Sequence, residues 1–542
     1  MRSLLLGLLS LSLCVVGLFA DEGHQHTLSA EEVGSVHFAT SCAKAVEANF
    51  NQAVALLHSF QYEKARATFM EVSKREPQCA MAQWGVAMSH YHGLWDNGDT
   101  AAGRAALEKA QQLGATNPKT TDREKEYIAA LAEIYREDGD KVARGQAFEQ
   151  RMGALQAAYP EDNEAAIFHA LSLAITAPKT DKTFANQRKC GEILEPLFAK
   201  QPHHPGIAHY IIHCYDNPVL AQQGLNAART YAEIAPASAH ANHMPSHIFT
   251  RVGSWDESIA SNTKSADLAA HDERTSLNGE ARDQRLHAMD YLEYADLQSG
   301  RVSQAKAILD EMTSLPRVAG LTLTGDYAEA AIPARYAMEL RNWREANDLR
   351  PRQDSVPWAQ AITWMAVGVG GARSGNIDKA AQAEQMLAAL RDATAKQNNT
   401  YWANQVEVQR REVVAWMSQT TGKGDAVEVM RSAAELEETM DKHAVTPGAV
   451  TPAREMLAEL LTLQKRGAEA LVEYEVVLRT APNRFNALYG AAQAAEAAGN
   501  MKTANEYFQK LTEVAVGDER PEVLVARQKV SQISGLHQQP PK

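Results

Sequence analysis

One short phrase returns along the chain and constrains its fold more than any other feature. Each copy is a turn, then an aromatic or apolar residue, then charged residues and a small one. The seven copies are SFQYEKA (59–65), VGSWDES (252–258), SGRVSQA (299–305), RNWREA (341–346), SGNIDKA (374–380), KRGAEA (465–470) and AGNMKTA (498–504). Helical periodicity surrounds these phrases and alternating β-branched runs are scarce, so the sequence predicts an all-α chain built from repeated helical hairpins.

The repeat has a measurable period. In two pairs of successive phrases the closing alanines are 34 residues apart: Ala346 and Ala380 in one pair, Ala470 and Ala504 in the other. Tyr474 and Phe508 are also one period apart, and Pro482 lies between their units. This pattern resembles the tetratricopeptide repeat over most of the chain, although some units are irregular. The resemblance implies a right-handed α-solenoid whose concave groove engages a protein or peptide partner.

The N-terminus predicts export. Arg2 precedes an apolar run from Leu4 to Phe19, and Ala20 is followed by two acidic residues. This is the pattern of a secretory signal peptide cleaved after Ala20, and the 16-residue apolar run falls short of the ~20 residues that a membrane-spanning helix needs. We therefore expect a periplasmic or secreted protein whose mature chain does not insert into a membrane.

Four segments follow from these patterns. We expect a signal peptide at 1–20, an N-terminal solenoid at 21–318, a C-terminal solenoid at 319–535 and a disordered tail at 536–542. The formal net charge is −13 and no Lys/Arg-rich run occurs, so nucleic acid is not an expected partner. The oligomeric state is left open.

The cysteines point to disulfide bonds. Four cysteines follow the signal peptide, and an even number in an exported chain favours disulfides. Cys42 and Cys79 each precede a predicted first helix in successive units, so we expect a bond between them. Cys190 and Cys214 form either a second pair or two small buried apolar residues.

Two histidine-rich segments, HHPGIAHYIIHCYD (203–216) and HANHMPSHIF (240–249), predict a metal site. His209 and His213 precede His243 and His247 by 34 residues each, so the two pairs share one repeat phase. Residues at i and i+4 lie on one helical face, and packed helices are ~8–10 Å apart. Two imidazoles from each helix can therefore meet at one ion. Pro245 falls inside the second helix, so either the helix starts there, leaving His243 in a capping turn, or it bends.

The repeat register enlarges this set. In the tetratricopeptide family the corresponding first-helix positions face the groove, and further groove positions are occupied by His240, Asp216, His287 and Asp290. An imidazole-rich site without thiolate favours zinc or copper. The alternatives are a histidine-lined groove for an acidic peptide or small molecule, and histidines that only fill space. His203 and His204 are expected at a loop mouth, outside the groove.

The histidine segments also resemble those of a broad group of exported bacterial tetratricopeptide proteins with no settled role, and that resemblance supplies no reaction. The chain lacks HExxH, GxSxG, Walker and CxxCH motifs, so any chemistry depends on the histidines. The first hypothesis is an exported binding or scaffold protein with a zinc or copper site in its groove. The second is a metal-dependent hydrolase or oxidoreductase, with Tyr294, Asp290 or His240 assisting. Whether the protein is an enzyme is left open.

Overall fold

The computed structural model describes residues 28–94, 98–274, 279–316 and 321–536. The predicted signal peptide and the tail beyond residue 536 lie outside these ranges. The predicted boundary at residue 319 also lies outside them and stays a prediction.

Within these ranges the chain forms 27 α-helices, two 3₁₀ turns (Lys44–Val46 and Ala221–Gly224) and no β-strand. The helices are α1 Ala30–Val33, α2 Glu47–His58, α3 Tyr62–Arg75, α4 Ala80–Met88, α5 Thr100–Thr116, α6 Asp122–Ile134, α7 Lys141–Ala158, α8 Asn163–Thr176, α9 Ala185–Lys200, α10 Pro205–Tyr215, α11 Leu225–Ile234, α12 Ala239–His243, α13 Pro245–Val252, α14 Trp255–Asp272, α15 Glu280–Gln298, α16 Val302–Ser314, α17 Leu323–Glu339, α18 Trp343–Asp348, α19 Pro357–Ser374, α20 Ile377–Lys396, α21 Thr400–Thr421, α22 Ala426–Glu438, α23 Ala453–Leu463, α24 Gly467–Thr480, α25 Phe485–Ala497, α26 Met501–Val514 and α27 Pro521–Leu536.

All seven copies of the sequence phrase form the turn between two helices. At each turn one residue is left-handed, with φ between +52° and +86°, and a left-handed residue ends a helix because it redirects the chain. These residues are Phe60, Gly253, Gly300, Arg341, Gly375, Lys465 and Gly499. The closing small residues, Ala65, Ser258, Ala305, Ala346, Ala380, Ala470 and Ala504, are all 0 % exposed. The all-α fold built as an α-solenoid of helical hairpins is therefore confirmed, and its right-handed sense stays a prediction.

The hairpins stack on their neighbours, and the chain also returns on itself. Helix α25 contacts α15, the indole of Trp255 donates to the Asn483 carbonyl at 3.0 Å, and the Val516 amide donates to the Ser299 carbonyl at 2.8 Å. Hairpins that are far apart in the sequence therefore pack around residues 253–300, which border the histidine-rich helices.

Two disulfides brace the N-terminal hairpins. Cys42 is bonded to Cys79 with a Cα–Cα distance of 5.1 Å, as predicted. Cys190 is bonded to Cys214 at 6.2 Å, which answers the question that the sequence left open. In the described part of the chain, no helix is both long and apolar enough to cross a membrane.

Candidate metal centre

Four helices carry the predicted histidines, and the proline in the second segment shapes their arrangement. Pro245 is the first residue of α13, and the preceding Met244 has helical angles (φ −54°, ψ −36°). The chain therefore passes from α12 into α13 without leaving helical geometry, and the helix is interrupted at Met244 because proline removes one amide donor and is tolerated as a first helical residue. As a result His243, at the end of α12, stays within reach of His247 in α13.

The first group, termed triad A, consists of His209 and His213 on α10 and His240 on α12. One ligand nitrogen from each ring lies within 4.8 Å of the other two. The Nε2 atoms of His209 and His240 are 3.0 Å apart. The ring of Phe60 packs against all three imidazoles, with centroid distances of 4.4, 5.7 and 5.3 Å. An apolar cover therefore lies over three polar rings whose nitrogens converge.

The second group, termed triad B, consists of His243 on α12, His247 on α13 and His287 on α15. One ligand nitrogen from each ring again lies within 4.8 Å of the others. The Nε2 atoms of His243 and His247 are 2.9 Å apart, and the ring centroids of His243 and His287 are 4.1 Å apart. His287 thus completes a triad from a third helix.

The sequence predicts that His209, His213, His243 and His247 meet at one ion. The structure divides these four imidazoles between the two triads. The triads are adjacent, because the ring centroids of His213 and His247 are 6.0 Å apart and those of His240 and His243 are 6.1 Å apart. These separations are close to the longest one within triad A, 6.4 Å between His213 and His240. The six rings form one continuous cluster.

Hydrogen bonds from the outer ring nitrogens set the orientation of three imidazoles. The Nδ1 atom of His209 lies 2.5 Å from the backbone carbonyl of His58. The Nδ1 of His243 lies 2.7 Å from the Asn262 side-chain oxygen. The His58 carbonyl can only accept a hydrogen bond. The side-chain oxygen of Asn262 faces His243 because the amide nitrogen of Asn262 donates to the Ser258 carbonyl at 2.8 Å. Both rings therefore donate through Nδ1 and leave the Nε2 lone pair directed into the cluster.

A carboxylate supports His247 in the same way. Its Nδ1 lies 2.9 Å from Asp216 Oδ2, and Asp216 also accepts from Arg251 Nε at 2.8 Å and Lys442 Nζ at 2.6 Å. Burial alone would raise the pKa of the Asp216 carboxyl, but Lys442 and Arg251 hold that pKa well below its usual range. Asp216 is therefore ionised and acts on the cluster through His247. Metal-binding histidines commonly have such a carboxylate partner.

The imidazoles are in the neutral form that metal binding requires. Burial lowers the pKa of His209 to about 3. Burial, together with neighbouring imidazoles, also holds the pKa of His240, His243 and His287 well below the usual value.

Asp290 and Tyr294 lie on the side of α15 that packs against α17. The Asp290 carboxylate accepts from Arg335 at 2.7 Å, and the Arg335 guanidinium lies 5.3 Å from the Tyr294 ring centroid. Asp290 is therefore paired with a buried cation and belongs to neither triad. Tyr291 reaches the histidines instead: its hydroxyl lies 3.3 Å from His247 Nδ1 and donates to the Thr446 carbonyl at 2.8 Å.

A third buried group joins His58, Glu164 and His204. The two histidine Nε2 atoms are each 2.9 Å from one of the two Glu164 oxygens. Burial would raise the pKa of Glu164, but His204 and His58 hold it at about 2, so the carboxylate is ionised and can accept a hydrogen bond from each imidazole. The expectation that His204 lies at a loop mouth was wrong, because it is 1 % exposed, whereas His203 is exposed.

Sequence reasoning missed the outer partners of the cluster. Asn262, Lys442, Tyr291 and the His58 carbonyl lie outside the repeat phase that identified the histidines. The one available signal was the i, i+4 spacing of Tyr291 from His287, which places both on one helical face.

No protein-family model matches the sequence, and no curated protein does. The human IFIT1 dimer with m7Gppp-AAAA is 13 % identical, covers 89 % of this chain and 92 % of its own, and has a TM-score of 0.36. Yeast Tom70 is 11 % identical, with 90 % and 89 % coverage and a TM-score of 0.24. Naa15/Naa10 bound to HypK-THB is 11 % identical, with 92 % coverage of each chain and a TM-score of 0.24. At such TM-scores these similarities transfer neither a partner nor a site to this chain.

Proposed function

We propose that this protein is an exported α-solenoid that binds transition-metal ions, one in triad A and one in triad B. The observation that carries the proposal is the relation between His243 and His247. Both rings donate their Nδ1 hydrogen outward, to Asn262 and Asp216, so two Nε2 lone pairs face each other at 2.9 Å. Two lone pairs at this distance repel unless a cation lies between them.

A metal ion satisfies this geometry. Nitrogens bound to one ion at ~2.0–2.1 Å are about 3 Å apart when their bonds are perpendicular, and ~3.4 Å apart in a tetrahedral site. A shared proton is the other way to bridge two imidazoles, but burial lowers the pKa of both His243 and His247, and for His247 it does so despite the nearby Asp216 carboxylate. In triad A, His209 is held in the same tautomer and its Nε2 lies 3.0 Å from that of His240.

The adjacency of the triads supports a centre of two ions. Six neutral imidazoles supply the ligands, and the four cysteines of the described chain are consumed by disulfides. Imidazole ligands without thiolate suit zinc or copper. The two disulfides support a place outside the cytoplasm, periplasmic or secreted. A protein or peptide partner in the concave groove is part of the proposal, because stacked helical hairpins present extended concave surfaces.

Metal content tests the proposal. Elemental analysis of the purified mature protein, after loading with zinc or copper, should give two ions per chain. His209→Ala should retain one ion and His287→Ala should retain one. His213→Ala combined with His247→Ala, one change in each triad, should retain none while the helical circular dichroism is preserved.

The matched control is His203→Ala, because His203 is exposed and lies two residues before α10, the helix that carries His209 and His213. It should keep both ions. Full occupancy in the double variant would rule the centre out.

A metal-dependent hydrolase or oxidoreductase is the second candidate, and one observation favours it. Each triad offers three protein ligands, whereas structural zinc sites are normally closed by four. An open position could hold water or a substrate oxygen. Azide added to the cobalt-substituted protein should shift the visible spectrum if a position is open and leave it unchanged if the site is closed.

A further inference from the structure

A cavity of about 580 Å³ lies apart from both triads, between α21 and the segment 439–452 that joins α22 to α23. Tyr327, Tyr401 and Trp402 line it together with aliphatic side chains. Ligand sites are typically concave spaces of this size, with apolar walls and a few polar groups.

Several polar atoms on the cavity wall have no hydrogen-bond partner. Glu412 is 2 % exposed and its Oε2 accepts no hydrogen bond. Gln409 Oε1 and Thr451 Oγ1 also have no hydrogen-bond partner. Gln405, Gln409 and Glu412 follow one another at i, i+4 and i+7, so α21 presents one polar stripe to the cavity. Buried acceptors without partners are rare in native proteins, and a bound donor group accounts for them.

Three of the four basic residues of the cavity wall are paired with carboxylates, and the fourth, Lys182, is exposed. Arg251 contacts Asp441 at 3.2 Å and also Asp216, and Arg454 contacts Glu438. Lys442 is committed to Asp216 as described above. Among the residues that the structure describes, no ion pair reaches Glu412 or Glu437, so these two carboxyls of the wall lack a counter-charge.

The two carboxyl groups at this end of the cavity affect each other. Burial, and then the nearby Glu437, raise the pKa of Glu412 well above its usual value. Burial likewise raises the pKa of Glu437 to about 7, although its Oε2 accepts from the Ala453 amide at 2.9 Å. A cation bound beside them would supply the charge that the protein itself does not.

We propose that this cavity binds an organic cation, with an ammonium or guanidinium group held by Glu412 and Gln409 and an apolar portion against the aromatic wall. Carboxylates and amide oxygens accept from such groups, and aromatic rings attract cations. The cation can be a free small amine or the Lys or Arg side chain of a peptide in the groove. No histidine of either triad lines this site, although Lys442 and Arg251 belong both to the cavity wall and to the surroundings of Asp216.

The full chain should be titrated calorimetrically with benzylamine, agmatine and benzyl alcohol, the last being an uncharged counterpart of benzylamine. Saturable binding of an amine and none of the alcohol is expected. Glu412→Gln, which keeps the shape of the side chain and an acceptor oxygen, should weaken amine binding about tenfold or more, because the negative charge that strengthens the hydrogen bond to the ammonium is lost. Glu435→Gln, an exposed position in α22, should bind as the unaltered chain does.

A lysine- and arginine-containing peptide and the same peptide with norleucine and citrulline at those positions distinguish the two sources. Binding of the charged peptide alone assigns the site to a protein partner, and binding of the free amines alone assigns it to a small molecule. Equal binding of benzylamine and benzyl alcohol would overturn the proposal, as would failure of every cationic probe to bind. Those comparisons use the unaltered chain and hold even if Glu412→Gln does not fold. Unchanged amine binding in a folded Glu412→Gln protein would also overturn it.

Discussion

The ammonium of Lys442 lies 2.6 Å from the carboxylate of Asp216, although 226 residues separate them. Asp216 in turn holds the outer nitrogen of His247. The segment 439–452, from a distant hairpin, therefore contributes to the orientation of a proposed metal ligand. The candidate centre depends on contacts between hairpins that are far apart in the sequence.

Replacing Asp216 by asparagine should weaken metal binding in triad B about 10–100-fold, the usual effect of removing the hydrogen-bonding partner of a ligand histidine. Triad A should keep its affinity, because its histidines do not contact Asp216. Competition with a chromophoric chelator measures both affinities. Asp378→Asn, an exposed position in α20, is the control, and an unchanged triad B affinity would contradict the assigned role.

Removing the metal should lower thermal stability. The triads join α10, α12, α13 and α15, so an ion bound to the folded state stabilises it by RT ln(1 + [L]/Kd), ~2.7 kcal/mol at a hundredfold excess over Kd. Calorimetric melting with and without a chelator measures this difference. The His213→Ala, His247→Ala protein should melt at one temperature in both conditions; a chelator effect that persists there would show that the stabilising ion lies elsewhere.

Asp290→Asn should leave the metal content at two ions per chain, since Asp290 is paired with Arg335 and lies in neither triad. The buried Arg335 guanidinium would keep Glu293, at 2.8 Å, as its one ion-pair partner. We therefore expect a loss of about 1–3 kcal/mol in unfolding free energy. Elemental analysis and denaturant unfolding test the two parts. Loss of an ion from the folded variant would restore Asp290 as a ligand.

The Cys42–Cys79 disulfide closes a separation of 37 residues. Replacing both cysteines by serine should lower the stability of the N-terminal hairpins by about 2–4 kcal/mol, because the unfolded chain gains conformational freedom. Denaturant unfolding followed at Trp84, which is buried in this core, reports the change. Alkylation of the oxidised protein should label none of the four cysteines, and labelling of Cys42 or Cys79 would show that they are free.

Ala470→Leu should cost about 1–3 kcal/mol, because the residue is 0 % exposed where α23 and α24 approach and a larger side chain overfills that contact. Ala468→Leu, on the exposed side of the same helix, should change stability by less than about 0.5 kcal/mol. Denaturant midpoints of the two variants give the comparison. Similar midpoints would mean that the small residue of the phrase does not limit helix packing.

The sequence by itself determined the helical hairpins and their phase. A left-handed turn residue, followed by a small residue where two helices cross, is a local requirement, so each copy of the phrase identifies its own hairpin. The period of 34 residues then placed His209 and His243, and His213 and His247, at equivalent positions of successive units.

Only the tertiary structure decided how those positions meet. The interruption between α12 and α13 at Pro245 and the packing of α15 accompany the division of six imidazoles into two triads, and Asp290 is paired with Arg335 instead. The pairing of Lys442 with Asp216, and of His58 and His204 with Glu164, follows from how the solenoid winds back on itself. Periodicity encodes which face of a helix a residue occupies, but the rotation and tilt of each helix against distant neighbours depend on the packing of the whole chain.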